Sequence, residues 1–371
     1  MNTGRVQSGP IAVYGATGYT GRLIAAELAR SGLDFVLAGR NRAKLEALSE
    51  ELGIDVPLHA IGTGEAAALR ELFSGCSAVI ACAGPFYLHG EPVLAAAVEA
   101  GTPYLDTTGE QLFIRTALDE YGPRAAANGS AVMSGMGFDY VPGDLLASLT
   151  AEGMGELETL RLAYTTKFQP TRGTMLSALE MIKGYDSEWR DGRLVPASPS
   201  INRGKFDFGP GTGEKAMTRY PAGEHVTVPR HVNTRRVETM LSADSVTPGP
   251  LVPLTPLIMR PAAAAMRTPL KGVISRIVNR LPEGAGPEER AAATWTVGCE
   301  AVADGRVRRG SISGKDVYGL TAALLVKGAA LAAAGELRGT GGLAPSQAFD
   351  PAGFLDDLER FSVKWTVEPL P

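Results

Sequence analysis

The chain has 371 residues, enough for a large buried core and for two domains rather than one. With 44% hydrophobic and 20% charged residues and a formal net charge of −4, it has the make-up of a globular protein, without the basic excess that nucleic-acid binding calls for. Three cysteines, Cys76, Cys82 and Cys299, and four histidines fall at no metal-ligand spacing, which argues against both a metal site and a disulfide framework.

The first predicted element is the apolar run Ile11–Tyr14, which feeds Gly15-Ala-Thr-Gly18-Tyr-Thr-Gly21 and then a helix-period segment to Arg30. A strand, a glycine turn and a helix in that order make a dinucleotide site. Glycine supplies the tight turn, room for backbone to approach a pyrophosphate, and close packing of helix on strand. The phosphates are expected on the helix amino end, where unpaired N–H groups favour negative charge, and the predicted contacts are Gly15, Thr17, Gly18, Tyr19, Thr20 and Gly21. A second strand, Phe35–Ala38, leads to Gly39-Arg40-Asn41-Arg42, where an NAD site would carry an acidic residue for the ribose hydroxyls. A guanidinium can instead pair with a 2′-phosphate, so Arg40, Asn41 and Arg42 argue for NADP(H) over NAD(H).

The alternation continues with a helix over Arg42–Leu52, a strand over Val56–Ala60, a helix over Glu65–Phe73 and a strand over Ala78–Ala83. Next come Gly84-Pro85-Phe86-Tyr87, a helix over Glu91–Ala100, a strand over Thr102–Asp106, a helix spanning Glu110–Ala127 and a strand from Ala131 to Ser134. This rhythm predicts an α/β fold with a Rossmann-type, doubly wound parallel sheet. Ligands in such folds bind beyond the carboxyl ends of the strands, so Ala83, Gly84, Pro85 and Phe86, the Thr107–Glu110 segment and the Gly135–Tyr140 segment should border the cofactor.

After Asp144 the pattern changes to alternating runs at Glu158–Thr166, from Val237, and from Ala292, which predict a second, α+β domain with a mixed or antiparallel sheet. Gly209–Lys215 lacks the Walker spacing and reads as a turn between strands. Asp144, ahead of Leu145 and Leu146, reads as a helix amino cap, and Asp106 as the closure of a turn through Thr107. His89 and His231 read as structural or pocket-lining. Between Asp244 and Glu283 there is no acidic residue, while a basic amphipathic pattern runs over 269–281. That helix could dock an acidic acyl carrier protein, rest on a membrane surface, or pack its apolar face on its own domain or a twin subunit. A long apolar helix over Asp316–Glu336 and a shorter one over Pro351–Phe361 close the chain. The expected division is a Rossmann domain over 1–140, a substrate and dimerisation domain over 141–315, and terminal helices over 316–371 that pack back on the first. No uninterrupted apolar stretch reaches the ~20 residues of a membrane span, and no signal-peptide pattern opens the chain, so a cytoplasmic location is expected, with peripheral membrane association if the basic helix works that way.

Six motifs, Gly15–Gly21, Leu37–Arg40, Cys82–Phe86, Tyr104–Glu110, Gly137–Asp144 and Gly286–Arg290, together resemble the saccharopine dehydrogenase-like oxidoreductases, and within them the trans-acting enoyl reductases. The resemblance implies an NADP-binding Rossmann domain, a second α+β domain over the cofactor, a dimer formed through that second domain, and reduction of a C=C or C=N bond in a small-molecule or carrier-bound acyl substrate. Hydride transfer needs position and polarisation from the protein, and conjugate reduction adds a donor near the carbonyl oxygen and a proton source. Tyr87 and Tyr140 follow strand ends that should face the nicotinamide and are the predicted donors, while Asp139 is the predicted orienting carboxylate. Two other readings stand beside enoyl reduction: an imine or saccharopine-type C=N reductase, and a non-catalytic NADP-binding protein that works at a membrane.

Overall fold

Two separate seven-stranded sheets organise the chain. The computed structural model describes residues 8–167, 170–181, 186–198, 200, 202–246, 274, 277, 278, 280 and 283–371. Most of the basic segment 269–281 lies outside the described residues. Two compact units result, one from the stretches through Val141 and Tyr318–Asp350, the other from Pro142–Val317 and Pro351–Pro371.

In the first unit the strands β1 (Ile11–Tyr14), β2 (Phe35–Gly39), β3 (Leu58–Ala60), β4 (Ala78–Ala81), β5 (Tyr104–Asp106) and β6 (Ala131–Met133) lie in the order β3-β2-β1-β4-β5-β6. All of these pairs are parallel, as the βαβ rhythm predicts for a Rossmann-type sheet. Strands β1, β2 and β4 are buried at every position, which is why they read as unbroken apolar runs rather than alternating ones. The helices α1 (Tyr19–Ser31), α2 (Arg42–Leu52), α3 (Ala66–Ser74) and α4 (Phe86–Ala100) are the crossovers. Helix α1 buries Gly21, Ile24, Ala25 and Leu28, spaced by three and four residues, and ends on Gly32 in the left-handed region. The predicted helix over Glu110–Ala127 is present as α5 (Gln111–Thr116) and α6 (Gly122–Ala127), joined by a π-helical turn over Ala117–Tyr121.

A seventh parallel strand, the two-residue Gly341–Gly342, extends this sheet beyond β6. It follows the apolar helix Val317–Ala333, whose Leu320, Leu324, Leu325 and Ala329 are fully buried. Gly328 on that helix faces Leu105 of β5 and Met136 closely enough that a Cβ would lie 2.9 Å from the leucine side chain.

The second unit is built on a mixed sheet. Its central strands are β7 (Thr159–Lys167), β12 (Val237–Ser242), β13 (Thr294–Ala303) and β14 (Arg306–Lys315), with β10 (Asn202–Asp207) and β11 (Glu214–Arg219) on one side and β16 (Lys364–Val367) at the other edge. Among the described strands of this sheet, β7 and β12 pair in parallel and the other neighbours antiparallel. One cross-strand row, Glu238–Arg161–Glu300–Arg309, alternates in charge across four strands, with contacts of 3.3, 2.8 and 3.1 Å. A separate hairpin joins β8 (Ser187–Arg190) to β9 (Arg193–Pro196), and β15 denotes Gly341–Gly342. The Gly209–Lys215 stretch is the β10–β11 hairpin turn and the start of β11. The tail is helical over Pro351–Asp356 and again, as a 3-10 turn, over Glu359–Phe361, within the expected helix; beyond it, Lys364–Val367 adds an unexpected strand β16, paired with β14.

Candidate cofactor site

The carboxyl ends of β1, β2 and β4 meet where the strand order reverses, and the glycine loop leaves β1 there. Gly15 has φ of +83°, and a Cβ on it would lie 2.8 Å from the Ala83 backbone nitrogen, so this position joins the loop after β1 to the loop after β4. A Cβ on Gly21 would lie 2.5 Å from the Gly15 carbonyl oxygen, so the first turn of α1 rests on the loop itself. Gly18 differs. Its φ of −76° suits any residue, and a Cβ there would come no closer than 3.5 Å to protein. The protein thus accounts for glycine at 15 and 21 but not at 18, the exposed residue at the amino end of α1, where a bound phosphate would need the space. That end of α1 has neither a side-chain cap nor an acidic residue in its first turn, so its dipole is available to an anion. Thr17, Tyr19 and Thr20 are half-buried around it, and the Tyr19 ring packs edge-on against Tyr318 at 5.2 Å.

The three residues predicted for the 2′-phosphate separate in the structure. Arg40 is exposed at the end of β2, and among the described residues its guanidinium makes no hydrogen bond or ion pair. Asn41 caps α2, its side-chain oxygen accepting from the Lys44 N–H at 3.0 Å. The Arg42 guanidinium is engaged internally, with Glu46 at 2.7 Å and the Leu58 carbonyl at 2.8 Å.

Past β4, Ala83, Gly84 and Pro85 form the loop and Phe86 opens α4. The Phe86 side chain is buried against Phe113 at 5.5 Å between ring centres. The amino end of α4 is closed from within: one Glu110 carboxylate oxygen accepts from the Phe86 N–H at 2.8 Å and the other from the Tyr87 N–H at 2.7 Å. Glu110, which the sequence reading did not single out, is 5% exposed, and its N–H donates to the Thr108 hydroxyl. Asp106 is fully buried and accepts from the Thr108 N–H, the Ser134 hydroxyl and the Gly135 N–H. It does close a turn as expected, but through Thr108 rather than Thr107, and it also ties the end of β5 to the end of β6. Burial pushes its carboxyl up to about 6, against the opposing pull of these donors. Burial and the neighbouring Asp106 also push the Cys82 thiol up, which keeps it a neutral spectator.

Of the predicted catalytic residues, Tyr87 is 60% exposed, whereas Tyr140 is buried and donates its hydroxyl hydrogen to the Gly109 carbonyl at 2.5 Å. Asp139 is half-buried in the loop before helix α7 (Val141–Ala151). Asp144 is not the cap of that helix. The helix begins three residues earlier, with Pro142 in its first turn, and Asp144 is buried inside it, bonded to His231 Nε2 at 3.0 Å. No cluster of metal-binding type occurs among the described residues, and none of their helices is long and apolar enough to cross a membrane.

A Rossmann-ordered sheet, a glycine cradle at its switch point and an open guanidinium at the end of β2 define a dinucleotide-binding protein of the dehydrogenase type. Residues 11–133 match the family model of the saccharopine dehydrogenase NADP-binding domain, a match that supports NADP(H) as the cofactor. A putative trans-acting enoyl reductase of Mycobacterium tuberculosis is 36% identical over 183 residues, 46% of this chain and 44% of that one. A trans-acting enoyl reductase of Mycobacterium ulcerans is 34% identical over 197 residues, 50% of this chain and 47% of that one. The chain therefore spans about half the length of the curated relatives it matches. Among solved structures, apo saccharopine dehydrogenase (L-Glu forming) from Saccharomyces cerevisiae aligns over 98% of this chain and 100% of its own, with a TM-score of 0.64 at 14% identity, a likeness of fold.

Proposed function

We propose that the protein is an NADPH-dependent reductase of an activated C=C bond, with an apolar, carrier-bound acyl chain as its substrate. The observation that supports it most is the pairing of an uncapped α1, at a glycine the protein itself does not require, with the unpartnered Arg40, in a chain whose curated relatives carry the name trans-acting enoyl reductase. In this reading Gly15, Thr17, Gly18, Tyr19, Thr20 and Gly21 hold the pyrophosphate, Arg40 takes the 2′-phosphate, and Ala83–Phe86 frame the nicotinamide. Asn41 and Arg42 support the α2 end of that site through the internal bonds described above. Bound NADPH supplies the hydride. The chain orients the acceptor, excludes water and delivers a proton to the carbon alpha to the carbonyl. Tyr87 is the proton donor in this scheme because its phenol is open, whereas Tyr140 holds the Gly109 carbonyl and acts as a brace. Asp139 orients the substrate. The second unit carries the acyl chain and the dimer contact, and the donor of that chain is an acyl carrier protein docked on the basic segment 269–281.

The test is NADPH oxidation by the purified protein with an enoyl thioester, free and carrier-bound, beside an amine with a carbonyl partner. Oxidation with the carrier-bound enoyl chain, lowered in Tyr87→Phe and retained in Tyr140→Phe, is the expected result. Turnover only with the amine and carbonyl pair replaces this reading by C=N reduction.

A further inference from the structure

Helix α4 begins at the loop assigned above to the nicotinamide, and its amino end is a second place where an anion could bind. A helix amino terminus leaves its first N–H groups without intrahelical partners, and Pro85 provides no side-chain cap. Here the Phe86 and Tyr87 N–H groups are both taken by Glu110, one by each carboxylate oxygen, while the Leu88 and His89 N–H groups turn back to the Pro85 carbonyl. A buried carboxylate from a different strand end, 24 residues away in sequence, therefore occupies the position a phosphate would take. The amino ends of α1 and α4 are thereby distinguished: the first is open to the pyrophosphate and the second is filled from within.

Glu110 is itself anchored. Its N–H donates to Thr108, the Thr108 N–H donates to Asp106, and Asp106 is held by Ser134 and Gly135. The Tyr140 hydroxyl closes the circuit on Gly109. One continuous set of hydrogen bonds thus links the loops that follow β4, β5 and β6, and its last link is the Gly84–Tyr87 loop. We infer that Glu110 is a positioning residue that sets the Gly84–Tyr87 loop for the nicotinamide end of NADP(H) through the main-chain N–H groups of Phe86 and Tyr87. The inference rests on the cofactor placement proposed above. Glu110 has no contact with the reacting atoms to make. It fixes the main chain on which the nicotinamide pocket and the Tyr87 phenol are mounted, and an error of about 1 Å in such a mount costs on the order of 100-fold in rate.

The experiment compares NADPH with 2′,5′-ADP, which keeps the adenine and 2′-phosphate but lacks the nicotinamide. Both are titrated against wild type and Glu110→Gln. The amide turns an N–H donor toward one of the two backbone N–H groups, which breaks one bond of the pair without changing side-chain size. The expected result is 2′,5′-ADP affinity within about twofold of wild type, a roughly tenfold smaller preference for NADPH over 2′,5′-ADP, the scale of one charge-assisted hydrogen bond, and a fall in kcat larger than any rise in KM for NADPH. Thr108→Val, which removes only the anchor of the Glu110 N–H, should move the same ratio in the same direction by less, and carries the test if Glu110→Gln does not fold. An unchanged ratio in folded variants overturns the positioning role and leaves the cofactor assignment standing. Wild-type protein that binds neither ligand overturns the cofactor placement and this inference with it.

Discussion

Arg40→Ala should discriminate between the two cofactors far more sharply than any other single change in the molecule. The side chain is exposed and unpartnered among the described residues, so its removal breaks nothing internal and should change stability by less than about 0.5 kcal/mol. If it pairs with the 2′-phosphate, the loss is that of a hydrogen bond to a charged group, about 1.5–3 kcal/mol, or roughly 10- to 150-fold in the Kd for NADPH. NADH, which has no 2′-phosphate, should bind wild type and variant within about twofold of each other. Arg42→Ala is the internal control. Its guanidinium is engaged by Glu46 and the Leu58 carbonyl, so it should cost a few tenths of a kcal/mol of α2 stability and little in cofactor selectivity. The assay is calorimetric or fluorescence titration of both nucleotides at one fixed ionic strength, since a surface guanidinium–phosphate pair weakens with salt. Equal losses for NADPH and NADH in Arg40→Ala, or a larger selectivity loss in Arg42→Ala, would refute the assignment.

The glycines at 18 and 21 should respond differently to alanine: Gly21→Ala drives a Cβ to 2.5 Å from the Gly15 carbonyl and should cost about 1–3 kcal/mol, read as a lower Tm, whereas Gly18→Ala, which meets no steric clash, should cost no more than about 1 kcal/mol, that of a poorer helix cap, and still lose NADPH. A Gly18→Ala variant with wild-type affinity would remove phosphate from that position. Asp106, with its carboxyl pushed up to about 6, keeps its proton in the folded chain where an unfolded carboxyl, near 4, has lost it. Asp106 should therefore contribute a loss of about 3 kcal/mol as pH rises from about 4 to about 6, read by chemical denaturation as a wild-type minus Asp106→Asn difference that changes across this window; a pH-independent difference would contradict it. His225 works in the opposite sense, since burial lowers its imidazole to about 4. Its Nδ1 accepts from the Trp189 N–H and its Nε2 faces the Thr239 hydroxyl, whose hydrogen goes to the Tyr220 carbonyl, so the neutral form is the one that fits. Unfolded histidine gains a proton near 6.5, so His225 should contribute a loss of about 3 kcal/mol as pH falls from about 6.5 to about 4; it opposes the Asp106 contribution over the same window and is read as the pH-dependent difference between wild type and His225→Gln in the same denaturation series.

Sequence periodicity carried most of the first sheet because strands such as β1, β2 and β4 are buried on both faces and its turns are marked by glycine, so these strands stood out as apolar runs between breaks; the half-buried edge strand β3 was placed by the βαβ rhythm instead. It failed on Gly341–Gly342 and Lys364–Val367, which are edge strands of two and four residues whose pairing comes from neighbours distant in the chain and leaves no side-chain pattern. Asp144 was misread because Leu145 and Leu146 drew attention to the wrong start, although Pro142 at a first-turn position marked the true one. The engagement of Arg42 was half visible, since Glu46 stands four residues on, the spacing at which opposite charges meet on a helix; the Leu58 carbonyl was not.

The Thr107–Glu110 segment is placed beside the cofactor by sequence, but the capping role of Glu110 is invisible there for a deeper reason. Capping is read from sequence as a local event, with the cap one to three residues ahead of the N–H groups it serves. Here the acceptor comes from the end of the next strand, so the signal exists only once β4 and β5 lie side by side. The pairing of β5 with β6 brings Asp106 to the end of β6 and, with Tyr140 on Gly109, makes three loops into one hydrogen-bonded rim. In the proposed placement the phosphate half of the site is thus encoded locally, in the glycine loop after β1. The half proposed to place the reacting ring would be encoded in tertiary contacts between loops. A change in the first should therefore appear mainly in affinity, and a change in the second mainly in rate.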